Sequence, residues 1–162
     1  MSAAADQAAT GVFQRERMIR FSDCDPAGIV FYPQYFVMFN GLVEDWVEEG
    51  LGVGFRQLLM ERRIGLPTVR LEADFRAVSR MGDRVLLSLQ VQRLGSKSIR
   101  LSSQCASIDG ELRMQMRQVL VTTSLESHQA IEVPADLRAA IEARMGEEVG
   151  AGATGKQPPA GV

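Results

Sequence analysis

Residues 36–47 constrain the fold most, because large apolar side chains fill more than half of these positions. They recur at spacings of three and four, which is typical of one buried helical stripe. The stripe contains Phe36, Phe39, Val43, Trp46 and Val47. Pro33 suits a first helical position, where its missing N–H costs nothing, and Gly50 is typical of the residue after a helix end. A helix this apolar must be wrapped by other structure over most of its surface.

After Pro67 the apolar period changes to two, which predicts β-strands. We predict one strand before the helix and four after it, over Phe13–Phe21, 69–77, 85–91, Ser98–Ile108 and Leu112–Leu125. Asp109–Gly110 is a strong hairpin signal, and the breaks at 81–83 and 94–96 predict two more short hairpins. A short helix is expected at Phe55–Arg63 and a last one at Pro134–Met145.

Strands joined by tight turns are antiparallel, so the pattern predicts an α+β fold. About five antiparallel strands would wrap one long helix. One helix covers the edges of a sheet face poorly, so we expect a homodimer that extends the sheet. Residues 1–11 and 146–162 are small, polar or rich in Gly, Ala and Pro, and we expect them to be mobile segments flanking a single domain at 12–145.

Charge and composition exclude several function classes. The chain has 18 basic and 20 acidic residues, which argues against nucleic-acid or membrane-surface binding. It begins with no export signal and contains no apolar run near the roughly 18 residues of a membrane span, so we expect a cytoplasmic protein. Cys24 and Cys105 match no metal or redox spacing, which predicts free thiols and no metal site. His128, the only histidine, is interpreted as incidental.

The densest polar segment is residues 21–35, FSDCDPAGIVFYPQY, directly before the long helix. A helix N-terminus carries unsatisfied N–H groups and a partial positive charge, so it can stabilise a developing oxyanion. A nearby carboxylate could act as a base on water or as a nucleophile on a carbonyl. The alternative is that Asp23 and Asp25 only cap the helix or form a turn. The segment has two carboxylates well ahead of Pro33, which favours acyl transfer or hydrolysis over capping.

Residues 23–36, DCDPAGIVFYPQYF, closely resemble the signature of the 4-hydroxybenzoyl-CoA thioesterase family. The similarity returns at Ala130–Asp136, AIEVPAD, and covers most of 12–145. The resemblance implies a hotdog fold, acyl-CoA thioesterase activity, and no cofactor, since coenzyme A is part of the substrate. It implies that Asp25 is the catalytic carboxylate and that the Tyr32 backbone N–H binds the thioester oxygen. Asp23 and Gly28 would shape the loop.

Coenzyme A is polyanionic, so its site should present basic residues. The hairpin segment Arg93–Arg100, RLGSKSIR, is basic, and in the family a similar stretch contacts the nucleotide, which implies roles for Lys97 and Ser98. The alternative is an ordinary solvated hairpin. Gln129 departs from the family pattern, which has an arginine there, and this puts one phosphate contact in doubt.

The acyl group is less constrained by the sequence. Phe31, Tyr35 and Phe36 could line an aryl pocket or could belong to the core, and Asn40 lies where the family would place a contact to a ring hydroxyl. The first hypothesis is therefore a thioesterase for an aromatic, hydroxybenzoyl-like acyl-CoA. The alternatives are a broad thioesterase for short- and medium-chain fatty acyl-CoA, and a non-catalytic acyl-CoA-binding module. Members of the family that the chain resembles commonly form tetramers, so the resemblance also implies a homotetramer as a plausible assembly.

Overall fold

A computed structural model describes residues 11–149, with side chains described through Met145. The segments 1–10 and 150–162, expected to be mobile, lie outside the described residues. Seven strands and two α-helices follow in chain order. They are β1 (Val12–Met18), α1 (Tyr32–Asp45), β2 (Ile64–Gly65), β3 (Thr68–Phe75), β4 (Arg84–Leu94), β5 (Ser98–Ser107), β6 (Leu112–Val121), β7 (Thr123–Ser124) and α2 (Ala135–Val149). The predicted α+β architecture is confirmed.

Five strands form one antiparallel sheet in the order β1-β4-β5-β6-β3, and β2 pairs with β7 beside it. The hairpins at 94–96 and at Asp109–Gly110 are confirmed, since β5 pairs with both β4 and β6. The hairpin predicted at 81–83 is wrong, because β3 pairs with β6 and not with β4. Residues 76–83 therefore run from the edge strand β3 to β4, which lies beside the strand at the opposite edge, and we call them the crossover.

Backbone hydrogen bonds at both ends of the crossover attach it to distant parts of the chain, so it does not form a hairpin. At its start, the Arg76 and Ala77 N–H groups donate to the Arg113 carbonyl on β6, at 2.8 and 3.1 Å. At its end, Ile19 exchanges two backbone bonds of 2.8 Å each, donating to Asp83 and accepting from Gly82. These partners are distant in sequence, so the local Met-Gly-Asp turn signal could not reveal them.

Helix α1 buries one face against the sheet. Its buried side chains are Tyr35, Met38, Phe39, Leu42 and Val43. They join apolar residues of the sheet's inner face in one core cluster, including Val85, Leu87, Leu89, Ile99, Leu101, Met114 and Leu120. The helix is not wrapped all round, because Val37 is 63% exposed and Asn40 is exposed as well.

The chain leaves α1 through a π-helical turn at Trp46–Gly50. Gly50 was expected as a left-handed helix stop, but it is not among the residues with positive φ. A Cβ built there would lie 2.9 Å from both Phe13 Cδ2 and Trp46 Cδ1, so close packing requires this glycine. The residue with a left-handed backbone after this turn is Gly52, which has a φ of 68°.

Several predicted ends shift by a few residues. β1 stops at Met18 and is followed by a 3₁₀ turn at Phe21–Asp23, so the predicted strand to Phe21 was too long. The strand predicted to Leu125 ends at Val121 and is followed by β7. The short second helix is a π-helical turn at Gln57–Glu61, and α2 runs past Met145 to Val149. No helix within 11–149 is long and apolar enough to cross a membrane.

Candidate active site

Asp25 opens a tight turn with the sequence Asp-Pro-Ala-Gly. The Gly28 N–H donates to the Asp25 carbonyl at 2.9 Å, and the Asp25 N–H donates to the Ile29 carbonyl at 3.0 Å. Pro26 presets the backbone of the second turn residue, and Gly28 adopts a φ of 76°, which side chains disfavour. The Asp25 carboxylate accepts one bond, from the Ala27 N–H at 2.8 Å, and is partly exposed. The turn thus holds this carboxylate at the surface.

Asp23 has a different environment, because it is 3% exposed. One of its carboxylate oxygens accepts from Arg17 Nη2 and the other from the Arg20 N–H, both at 2.8 Å. Its carbonyl accepts from the Phe31 N–H at 2.9 Å. Asp23 therefore ties β1, the 3₁₀ turn and the approach to α1 together, while the Asp25 carboxylate accepts the Ala27 N–H within its own turn.

Helix α1 begins without a side-chain cap. Its N-cap residue is Phe31, Pro33 lies in the first turn, and no side chain accepts from the first-turn N–H groups. The capping interpretation of Asp23 and Asp25 is therefore wrong for α1. The Phe31 N–H is occupied by Asp23 and the Gln34 N–H donates to the Phe31 carbonyl at 2.8 Å. The Tyr32 N–H has no acceptor among the described residues, so it is available to an external oxygen.

The crossover packs directly against this loop. The Val30 N–H donates to the Ser79 carbonyl at 2.9 Å, and the Met81 N–H donates to the Gly28 carbonyl at 3.1 Å. Ser79 is fully buried, and its Oγ accepts a bond from the Tyr35 hydroxyl at 2.9 Å. Burial raises the pKa of the Tyr35 phenol, so it is a neutral hydrogen-bond donor.

A pocket of about 310 Å³ opens between the loop, the start of α1 and the crossover. Its volume lies at the lower end of the range of small-molecule sites. Its lining is mostly apolar and comprises Ile29, Val30, Tyr32, Tyr35, Phe75, Arg76, Ala77, Val78 and Ser79. The pocket therefore has room for a small group beside Tyr32, the residue that begins α1.

Three aromatic rings of α1 pack against Phe75, which lines the pocket. Its ring centroid lies 6.1 Å from that of Tyr32, 6.0 Å from Tyr35 and 6.4 Å from Phe36. The Tyr32 and Phe36 rings meet it nearly edge to face, which is a favourable aromatic geometry. Phe75 is 50% exposed, so part of its ring is free to contact a bound molecule.

The predicted pocket residues divide into two groups. Tyr35 lines the pocket, whereas Phe36 lies outside the lining. Phe31 is 48% exposed and packs its ring against Tyr32, with centroids 5.6 Å apart, but it lies outside the lining. Asn40 is exposed and also lies outside the lining within one chain.

The basic hairpin and the AIEVPAD segment lie in contact with each other. Lys97 Nζ lies 3.5 Å from the Ala130 carbonyl oxygen. The Val133 N–H donates to the Ser96 carbonyl at 2.8 Å, and Arg138 reaches the Gly95 carbonyl at 2.6 Å. Lys97 is exposed and Ser98 is half-buried, so the lysine ammonium is accessible to solvent. Gln129 is exposed nearby in the same segment.

Sequence reasoning missed Phe75, Arg76 and Ser79. All three depend on the crossover, which was interpreted as a hairpin, so no local signal placed them beside α1. Both cysteines are free thiols, as predicted. Partial burial and the carboxylates of Asp23 and Asp25 raise the pKa of the Cys24 thiol, which disfavours a thiolate nucleophile there. Within 11–149, no group of three or more His, Cys, Asp or Glu residues could hold a metal ion.

Comparison with known proteins identifies the family to which the chain belongs. Residues 19–141 match the model of the thioesterase-like superfamily. The chain is 32% identical over 129 residues to 4-hydroxybenzoyl-CoA thioesterase from Pseudomonas sp. (strain CBS-3), covering 75% of this chain and 91% of the relative. It is 30% identical over 129 residues to 1,4-dihydroxy-2-naphthoyl-CoA hydrolase from Synechococcus sp. (strain CC9605), covering 77% of this chain and 80% of that protein.

A solved structure is also similar. It is an Asp-to-Asn variant of 4-hydroxybenzoyl-CoA thioesterase in complex with 4-hydroxybenzoyl-CoA, with a TM-score of 0.74 and 26% identity. The match covers 82% of this chain and 99% of the other. The chain therefore belongs to the thioesterase-like superfamily, has its hotdog fold, and is a thioester hydrolase.

Proposed function

We propose that this protein hydrolyses an aromatic acyl-CoA thioester to the free acid and coenzyme A. The observation that carries the proposal is the unoccupied Tyr32 N–H at the start of α1, beside a pocket lined by aromatic rings. Two relatives support the substrate class, because by name they act on 4-hydroxybenzoyl-CoA and 1,4-dihydroxy-2-naphthoyl-CoA. Aromatic side chains such as Tyr32, Tyr35 and Phe75 suit a flat ring.

In the proposed mechanism the thioester carbonyl oxygen accepts the Tyr32 N–H, and the N-terminal end of α1 stabilises the negative charge that develops on it. Asp25 acts in one of two ways. As a nucleophile its carboxylate attacks the carbonyl carbon, the C–S bond breaks, the thiolate leaves, and water hydrolyses the mixed anhydride. As a general base it takes a proton from water, whose oxygen attacks the carbonyl carbon, and the C–S bond then breaks to release the thiolate and the free acid.

The nucleotide end of coenzyme A is proposed to lie along the basic hairpin. Lys97 would supply a positive charge and Ser98 a hydroxyl group to its phosphates. Lys97 contacts the carbonyl oxygen of Ala130 in the AIEVPAD segment. Phe31 and Asn40 would complete the acyl site from the exposed side of α1. No cofactor is part of the proposal.

We further propose that two copies pair along β3. This strand forms one edge of the sheet, and its only neighbour within the described chain is β6. Val69, Leu71 and Phe75 are 61%, 40% and 50% exposed on it, which is unusual for an edge strand that faces water. Pairing there would extend the sheet and bring Phe75 of each copy near the interface. A homotetramer built from such dimers is a further expectation.

The test is thiol release from a panel of esters: 4-hydroxybenzoyl-, benzoyl-, 2-aminobenzoyl-, phenylacetyl-, hexanoyl- and palmitoyl-CoA. Each ester is run with the wild type, Asp25→Asn and the control Asp109→Asn. The amide oxygen of the substituted side chain can still accept the Ala27 N–H, so Asp25→Asn retains the turn while it removes the carboxylate. We expect Asp25→Asn to lower kcat by about 10²- to 10⁴-fold on the preferred aryl ester. Asp109 lies in an exposed Asp-Gly hairpin turn that tolerates asparagine, so its variant should match the wild type.

Three outcomes would contradict the proposal. Undiminished turnover by Asp25→Asn would remove Asp25 from the mechanism. A preference for hexanoyl- or palmitoyl-CoA would indicate a fatty acyl-CoA thioesterase. Binding of coenzyme A without thiol release from any ester would indicate a binding module.

A further inference from the structure

We propose that Ser79 and Tyr35 form a positioning pair that sets the direction of the Tyr32 N–H. The inference rests on the proposed function, since it assumes that this N–H binds the thioester oxygen. Neither residue is proposed to touch the reacting atoms. Ser79 acts from the crossover, a segment far from the loop in sequence.

Ser79 makes two bonds to the chain around Tyr32, one through its backbone and one through its side chain. Its carbonyl accepts the Val30 N–H and its Oγ accepts the Tyr35 hydroxyl, each at 2.9 Å. Ser79 is 0% exposed and Tyr35 is 4% exposed, so water does not compete for the hydroxyl bond. A buried hydrogen bond that water cannot replace fixes geometry more firmly than an exposed one.

The two residues bonded to Ser79, Val30 and Tyr35, lie on either side of Tyr32 in the sequence. Val30 precedes Tyr32 by two residues and Tyr35 follows it by three. The Val30 bond fixes the incoming chain, and the Tyr35 bond fixes the first turn of α1 against the same serine. The orientation of the Tyr32 peptide is therefore determined from both sides by one buried residue. Positioning to within a fraction of an ångström matters, since a misplacement of about 1 Å can cost about 100-fold in rate.

Tyr35 also lines the pocket, so a direct contact between its hydroxyl and a substituent on the acyl ring is the alternative role. The phenol of Tyr35 has a single proton, and it is donated to Ser79. Burial raises the pKa of that phenol, so it stays protonated, and its oxygen can still accept a hydrogen bond from a hydroxyl on the acyl ring. The two roles predict different dependences on the substrate. A positioning pair should affect every substrate alike, whereas a recognition site should favour a hydroxylated ring.

The experiment compares Tyr35→Phe, Ser79→Ala and the double variant with the wild type on benzoyl-CoA and 4-hydroxybenzoyl-CoA. We expect each single variant to lower kcat by about tenfold on both esters by the same factor, with KM within about twofold. The double variant should be no slower than either single one, because both remove the same bond. Ser103→Ala is the matched control. Ser103 is 2% exposed and its Oγ has no partner among the described residues, so losing it should leave kcat unchanged.

Folding is checked by thermal unfolding of each variant. Tyr35→Phe keeps the ring and its packing, so it carries the test if Ser79→Ala does not fold. A loss confined to 4-hydroxybenzoyl-CoA would overturn the inference in favour of substrate recognition. An unchanged kcat in Tyr35→Phe, or a double variant slowed by the product of the single effects, would also overturn it. A wild type inactive on every ester would instead overturn the proposed function on which the inference rests.

Discussion

Replacing Asp23 by alanine tests whether the buried ion pair, rather than the Asp-Pro turn, holds the signature loop in place. The substitution removes two bonds of 2.8 Å, from Arg17 Nη2 and from the Arg20 N–H. The Asp23 side chain is 5% exposed and that of Arg17 is 37% exposed. The charge lost is thus desolvated, while its partner keeps some contact with water.

The expected magnitude follows from that exposure. A hydrogen bond to a charged group contributes about 1.5–3 kcal/mol, and breaking a fully buried ion pair costs about 3–5 kcal/mol. Because Arg17 can rehydrate in part, we expect the free energy of unfolding to fall by about 3 kcal/mol. Loosening of the loop that leads to α1 should lower kcat as well.

Asp136→Ala is the matched control, measured beside Asp23→Ala by urea unfolding at neutral pH. Asp136 pairs with Arg62 through two bonds of 2.7 and 2.8 Å, but its side chain is 54% exposed. An exposed pair contributes about 0.2–1 kcal/mol, so this variant should lose about 1 kcal/mol or less. Equal losses in the two variants would refute the argument that burial makes the Asp23 pair the stronger one.

Three further predictions concern backbone strain at Gly28 and the thiol chemistry of the two cysteines. Gly28→Ala should lower the free energy of unfolding by about 1–2 kcal/mol, because Gly28 has a φ of 76°, which alanine disfavours. Crowding is not the cause, since a Cβ at Gly28 meets nothing within 4 Å. Gly41 on α1 also has no atom within 4 Å of a Cβ, so the control Gly41→Ala should be neutral or stabilising. A loss at both glycines would point to crowding instead of backbone strain. Burial raises the pKa of the Cys105 thiol from 9.0 to about 12, so a disulfide reagent at pH 8 should label one thiol, Cys24, in the folded chain and two in urea. As pH rises, the Cys105 thiol loses its proton in the unfolded state before it does so in the folded state. The free energy of unfolding should therefore fall between about pH 9 and 12. Replacing Cys105 by valine should reduce this fall in stability at alkaline pH.

The fold class could be predicted from the sequence because the responsible interactions are repeated and local. The apolar stripe of 36–47 specified a helix with one buried face, and the alternation after Pro67 specified strands. The Asp-Pro-Ala-Gly turn was also readable, since Pro26 and Gly28 favour its backbone angles whatever surrounds them. The expectation that Asp23 shapes the loop agrees with its contacts to Arg17 and Arg20. The resemblance to a known family added roles for Asp25, Tyr32, Lys97 and Ser98 that remain predictions.

Strand order was decided only by tertiary structure. A period of two specifies which face of a strand is buried but not which strand lies beside it. The pairing of β3 with β6 turned a predicted hairpin into the crossover, and this brought Phe75 and Ser79 to Tyr35. Gly50 illustrates the same limit, since it is crowded by Phe13 of β1, which is distant in sequence, as well as by the nearby Trp46. The sequence by itself determined the helix, the strands and the turn that holds Asp25. Long-range pairing, whose partners are tens of residues apart, determined the pocket beside them.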